Sequence, residues 1–233
     1  MLSQIKKYAY MIILGAKFIN IFKSIQQNRM LPLKNKYEQL SKQRQNYCNA
    51  ILKFLNIEVK IYGELPKKDK ILYAINHRSL LDIIVMEHIF SLYSKNGTWI
   101  AKQELFDAFY GEFFKNSGCV SVDLETKKGL VKFFKNIKFL LSKIDNLNIY
   151  IFPEGERNKQ EELLAFQNGA EKIASANNLD IVPVFIDDKL EKVFKQSPFE
   201  ETKIINVHIG EIITNPKNLE KSYKEMVKKI KSA

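Results

Sequence analysis

The sequence predicts an α/β fold: a mixed, largely parallel central sheet flanked by helices, preceded by an N-terminal two-helix element that associates with a membrane. Three observations carry this expectation. From Ile57 onward, short apolar runs bounded by turn residues alternate with helical patterns, as they do in α/β layers. The 233 residues are 45% hydrophobic and 12% aromatic, enough to bury one sizeable core. The first sixty residues have a different texture, both greasy and basic. The expected division is therefore 1–56 for the two-helix element and 57–233 for the α/β domain.

The first helix is expected over residues 4–23, where the apolar run from 8 to 22 is interrupted only by Gly15, Lys17 and Asn20. As a helix, that run reaches about 22 Å at the usual rise per residue, short of the ~30 Å hydrocarbon core. No small-residue cleavage site follows Phe22, so a retained interfacial anchor fits better than a signal peptide. The net charge is +11, from 37 Lys and Arg against 26 Asp and Glu. Most of the excess lies in residues 1–60, where eleven basic residues face only Glu38 and Glu58. Charge and apolar surface thus coincide, which points to an anionic membrane surface. The expected location is the inner (cytoplasmic) membrane, peripheral or monotopic, with the site facing the cytoplasm. Composition alone equally fits a core helix with a solvated basic face.

A second helix is expected over 37–56, with Leu40, Tyr47, Ile51 and Phe54 on one face, joined to the first through the polar stretch 28–36. Strands follow at Ile57–Tyr62, Ile71–Ile75, 98–101, 119–122, 149–152, 181–186 and 204–209. Helices are expected at about 79–94, 103–115, 126–144, 160–177 and 217–231. The last has Asn215 as cap, Pro216 at its first position, and Leu219, Tyr223, Met226 and Ile230 on one stripe. Cys48 and Cys119 lack the number and spacing for a metal site or a disulfide framework. A nucleic-acid partner would need a basic face interleaved with exposed aromatics or a known module, and the sequence offers neither, so none is expected.

Two segments can carry chemistry. In the first, Asn76-His77-Arg78-Ser79-Leu80-Leu81-Asp82 follows a buried strand and turns into a helix, the place where α/β sites form. Asp82 can reach an imidazole nitrogen of His77 and fix its tautomer, leaving the other nitrogen to take a proton from a hydroxyl. The same spacing is a capping box, with Ser79 as cap and Asp82 at the third helical position. In the second, Phe152-Pro153-Glu154-Gly155-Glu156-Arg157 breaks a strand ahead of a helix. Its turn can present backbone N–H groups and a bidentate Arg to phosphate, or it can be a plain β-turn. His88 and His208 suggest no role.

Together and in this order, the segments resemble the glycerolipid acyltransferase superfamily, specifically the 1-acylglycerol-3-phosphate (lysophosphatidate) acyltransferases. The resemblance covers roughly residues 57–212. Asn76, His77, Ser79 and Asp82 meet the family's Asn-His-x-Ser-x-x-Asp motif; Phe152, Pro153, Glu154, Gly155 and Arg157 meet Phe-Pro-Glu-Gly-Thr-Arg-Ser. Ala101-Lys102-Gln103-Glu104-Leu105, Phe166-Gln167-Asn168-Gly169-Ala170, Val182-Pro183-Val184 and Gly210 agree with lesser landmarks.

The resemblance implies that His77 is the catalytic base and Asp82 its orienting carboxylate. It implies substrate-binding roles around Asn76, Arg78, Ser79, Lys102, Glu154, Gly155, Arg157 and Pro183, with no metal and no cofactor. The membrane lipid acceptor would be lysophosphatidate, and the acyl donor a thioester of acyl carrier protein or coenzyme A. Two departures bear on the acceptor: Leu124 follows Gly118-Cys-Val-Ser-Val-Asp123 where the family has an Arg, and Glu156 replaces Thr. Lys127 or Lys128 is a candidate replacement for that Arg. Rival readings are an acyltransferase for a lyso-ornithine lipid, another lysophospholipid or glycerol 3-phosphate, and a non-catalytic membrane-binding module of the same fold.

Overall fold

The computed structural model describes residues 2–108, 111–160 and 162–232. Strands β1 (Ile57–Tyr62), β2 (Ile71–Ile75), β3 (Asn96–Lys102), β4 (Val120–Val122), β5 (Leu147–Ile151), β6 (Asp180–Ile186) and β7 (Lys203–Ile209) form one sheet. Their order is β1-β7-β6-β2-β5-β3-β4. Only the β6–β7 pair is antiparallel, so the sheet is mixed and largely parallel, as its sequence implies. Central strands β2 and β5 are buried along their whole length, which is why they read as continuous apolar runs rather than alternating ones.

The alternation of side chains along β2 divides the interior in two. Ile71, Tyr73 and Ile75 join one cluster, which takes in α2 (Leu33–Leu55) and α3 (Leu81–Leu92) through Ile51, Leu55, Val85 and Ile89. Leu72 and Ala74 join the other, against α6 (Lys127–Lys143), α7 (Gly169–Asn177) and α9 (Leu219–Ser232). The second N-terminal helix thus shares the core of the α/β layers. Its junction with β1 is a helix end capped by Asn56 in the left-handed conformation, φ 55°.

A buried ion pair ties the middle of α2 to α3 and β3. Arg44 Nε donates to Glu87 Oε1 at 2.6 Å, Arg44 Nη1 donates to the Ser117 carbonyl, and Trp99 Nε1 donates to the same Glu87 oxygen at 2.9 Å. Both side chains are almost wholly excluded from water, so each charge is tolerable only because the other is there.

Helix α1 (Leu2–Gln27) is longer than the sequence pattern indicated. Over Gln4–Gln27 it is long and apolar enough to cross a membrane by length and composition. One face packs on the body: Phe18 and Phe22 are buried against Leu40 and Phe113, and the Lys7 ammonium donates to the carbonyls of Phe194 and Ser197. The opposite face leaves Ile5, Ile12 and Ile13 exposed, the last two at 71% and 72%.

Three expectations need correction. The helix expected at 160–177 forms only from Gly169, because Glu154 and Pro153 capture backbone N–H groups of Leu164 and Gln167 and hold the preceding chain as a loop. The helix at 103–115 is two short ones, α4 (Gln103–Asp107) and α5 (Gly111–Asn116), with Phe109 and Tyr110 outside the described residues. Helix α8 (Leu190–Gln196) was not expected: only Leu190 and Val193 of it are buried, too few to produce a periodic signal. The final helix begins as a 3₁₀ turn at Pro216–Asn218, with the Asn215 side chain accepting from Lys217 N–H.

Candidate active site

The carboxyl ends of β2, β5 and β6, neighbours in the sheet, converge on one cluster. Asn76 continues β2 beyond its last pair: its Oδ1 accepts from Ile186 N–H at 2.8 Å and its Nδ2 donates to the Ile186 carbonyl at 2.9 Å. The Asn76 N–H donates to the Tyr223 hydroxyl at 3.0 Å, and that hydroxyl donates to the Val184 carbonyl. Helix α9 therefore pins the strand end from behind.

His77 is held on every side. Its N–H donates to Glu154 Oε1 at 2.9 Å, and its carbonyl accepts from Asn158 N–H at 2.7 Å. The imidazole lies flat on Phe152, centroids 3.8 Å apart at 11°, and its Nδ1 meets Asp82 Oδ2 at 2.8 Å. The side chain keeps 13% of its surface exposed, whereas Asp82 keeps 2%. With the Nδ1 proton directed at the carboxylate, Nε2 carries the lone pair and can take a proton from a hydroxyl brought to the site.

The same Asp82 oxygen accepts from the N–H groups of Arg78 at 2.6 Å and Ser79 at 2.8 Å, while Ser79 Oγ accepts from Leu81 N–H at 3.2 Å. The dyad and the backward half of the capping pattern meet on one atom, but Ser79 is not the cap: α3 begins at Leu81 with Leu80 in the cap position, and Asp82 N–H donates to the Ser79 carbonyl rather than to its hydroxyl. A carboxylate in the first turn of α3 also lies at the positive end of its dipole.

Glu154 is 2% exposed, and its two oxygens are engaged by the molecule itself. Oε1 holds the His77 loop; Oε2 accepts from Asn158 Nδ2 at 2.8 Å and Leu164 N–H at 2.9 Å. Gly155 closes the turn at φ +75°, where a Cβ would come within 2.9 Å of Gln167 Cγ. Arg157 lies exposed just beyond it. Asn76, His77, Arg78, Ser79, Asp82, Glu154, Gly155 and Arg157 are therefore on adjoining loops. Lys102 stands exposed at the end of β3, separated from β2 by β5, and Pro183 is buried inside β6 opposite Ala74.

Phe152, Asn158 and Tyr223 were not singled out for the site. Phe152 and Asn158 sit inside or beside the recognised motif, which was the available signal; Tyr223 read as a core residue, which it also is. Leu124 is exposed after β4, the outermost strand, and Lys127 and Lys128 begin α6 at that same edge, three strands from β2. Among the described residues no group of three or more His, Cys, Asp or Glu side chains comes together as a metal site. His88 is tied to Asn49 at 2.8 Å and His208 stacks on Tyr62, and burial lowers the pKa of both imidazoles.

A solvent-reachable imidazole backed by a buried carboxylate, at the strand ends of a largely parallel sheet, is an arrangement that can take a proton from a hydroxyl. Residues 56–187 match the Acyltransferase family, and the chain belongs to it. It is 35% identical over 158 residues to a 1-acyl-sn-glycerol-3-phosphate acyltransferase of Helicobacter pylori, covering 67% of this chain and 64% of that protein. Proteins of the same name from Cocos nucifera and Haemophilus influenzae are 30% and 27% identical, covering 55% and 60% of this chain and 41% and 57% of theirs. The chain thus spans less than two thirds of the length of each of these three relatives. The crystal structure of the 1-acyl-sn-glycerophosphate acyltransferase PlsC from Thermotoga maritima superposes with a TM-score of 0.66 at 18% identity over the full length of both chains, a likeness of fold.

Proposed function

We propose that this protein transfers a fatty acyl group from a thioester of acyl carrier protein or coenzyme A to the sn-2 hydroxyl of lysophosphatidate, giving phosphatidate. The observation that carries the proposal is the His77 Nδ1–Asp82 Oδ2 contact of 2.8 Å in an imidazole that keeps solvent access. In this mechanism Nε2 removes the acceptor's hydroxyl proton as the oxygen attacks the thioester carbonyl. The tetrahedral intermediate then collapses, the C–S bond breaks, and the imidazolium returns its proton to the departing thiolate. Asp82 holds the tautomer and stabilises the imidazolium. Phe152 fixes the ring plane and excludes water from one face.

Asn76 and Glu154 act in this reading as positioning residues, because their polar atoms are spent on holding the His77 loop. Ser79 closes the turn ahead of α3 through its N–H and Oγ, and Arg78 and Arg157 lie on the loops that meet the acceptor's phosphate end. The exposed face of α1 enters the cytoplasmic leaflet of the inner membrane, placing the site at the lipid surface. The similarity to proteins named 1-acyl-sn-glycerol-3-phosphate acyltransferase supports this acceptor.

The test is release of free thiol and formation of phosphatidate by purified protein in mixed micelles. Wild type should transfer and His77→Ala should lose transfer at unchanged fold. A panel of other lysolipids and glycerol 3-phosphate decides the acceptor, and no transfer from either thioester would refute the proposal.

A further inference from the structure

Helix α6 buries Phe133, Ile137, Leu140 and Leu141 and turns its other side to solvent. That side carries Lys127, Lys128, Lys132, Lys135, Lys138 and Lys143, all exposed, and the helix contains no Asp or Glu. Among the described residues none of these six lysines takes part in an ion pair. Val131 and Phe139 stand between them at 54% and 51% exposure, and Leu124 leads into the helix at 59%. Helical spacing sets Lys128, Val131, Lys135, Lys138 and Phe139 on one stripe. We propose that this face of α6 docks an acidic protein that carries the acyl thioester. The inference rests on the function proposed above and chooses the carrier protein over coenzyme A as donor.

A lysine-rich helix is often no more than a solvated face, and α9 shows that case in the same molecule. Its lysines alternate with Glu220 and Glu225, Lys224 is paired with Glu220 at 2.6 Å, and none of its described residues is a large apolar side chain left exposed. Helix α6 has neither the carboxylates nor the fully polar surface. Uncompensated positive charge around exposed apolar groups is one half of a charge-steered contact, and its complement is acidic with an apolar centre.

The fold selects which acidic partner meets it. Met11 and Leu14 of α1 pack on the cluster that contains Tyr73 of β2, whereas Phe133 and Ile137 of α6 belong to the cluster that contains Leu72. Helices α1 and α6 therefore lie on opposite faces of the sheet. With the exposed face of α1 in the bilayer, α6 faces the aqueous side, where a soluble protein meets it and a lipid headgroup does not. Its first turn follows β4 and so begins at the carboxyl edge of the sheet, the edge that holds His77. Three strand spacings separate β4 from β2, about 14 Å, a distance that an extended pantetheine arm covers. The acceptor then arrives from the lipid side and the donor from the other.

The variant K132E/K135E/K138E reverses three exposed charges on α6, and the control K221E/K228E/K229E reverses three on α9. With the acyl carrier protein thioester as donor, the α6 variant should show a KM raised about tenfold or more; with the coenzyme A thioester its KM should stay within about twofold of wild type. The control should match wild type with both donors. An unchanged KM for the carrier protein thioester, an equal rise with coenzyme A, or an equal rise in the control would overturn the docking surface.

A second readout needs no turnover. The organism's own acyl carrier protein, without an acyl group, should bind immobilised wild type, and the affinity should fall at high salt and by about tenfold in K132E/K135E/K138E. Absence of binding to wild type, or full affinity in the variant, overturns the proposal. So does loss of flotation with anionic liposomes in K132E/K135E/K138E, which gives the face to lipid instead. If wild type transfers no acyl group from either thioester, the function fails while the binding measurement still judges the surface.

Discussion

Asp82→Asn separates the two tasks of one oxygen. In the wild type Asp82 Oδ2 faces His77 Nδ1 at 2.8 Å and also accepts from the N–H groups of Arg78 and Ser79. An amide oxygen can take over the two backbone bonds, so the cap should survive. It supplies no negative charge to an imidazolium. With charge centres roughly 4 Å apart and an effective dielectric of ~20, that attraction is about 4 kcal/mol. At 1.4 kcal/mol per tenfold, kcat/KM should fall about 10³-fold. Replacing two charge-assisted hydrogen bonds by neutral ones costs roughly 1 kcal/mol, about 2–4 °C in a chain of this size. Asp82→Ala removes the acceptor altogether and leaves two N–H groups orphaned at roughly 1–3 kcal/mol each, so its melting temperature should fall roughly twice as far or more. Steady-state transfer assays paired with thermal unfolding read both effects. An Asp82→Asn protein that is folded and keeps more than a tenth of wild-type kcat/KM would show that Asp82 serves only as a cap.

Three further outcomes follow from other parts of the molecule. Arg44→Met strands the Glu87 carboxylate in the core and should cost about 3–5 kcal/mol, read by denaturant unfolding; Arg44→Met/Glu87→Gln should recover part of the loss, since the amide oxygen still takes the Trp99 N–H. Burial lowers the pKa of His88 below its unfolded value, so the unfolded chain binds the extra proton first and stability falls as pH drops through about 6.5. Thermal unfolding between pH 8 and 5.5 should show that fall, and His88→Gln should make it shallower, leaving the part that His208 contributes. Ile12→Asp/Ile13→Asp places two charges on the exposed face of α1 and should abolish flotation with anionic liposomes; unchanged flotation would remove that face as the lipid contact.

The sequence by itself determined the layer architecture, because β2 and β5 needed continuous apolar runs to be buried on both faces and the helices between them needed amphipathic stripes. It also determined the two loops that carry the site, since each joins a strand end to a motif of fixed spacing. It left open whether Asp82 caps a helix or orients a base, because both tasks demand the same separation along the chain. Only the fold decided that one carboxylate oxygen meets the imidazole and the backbone together. The roles of Glu154, Asn158 and Tyr223 were equally out of reach of local pattern, for their partners lie 77, 81 and 147 residues away across neighbouring strands. The same holds for α8: two buried residues give no periodicity, so only packing reveals it.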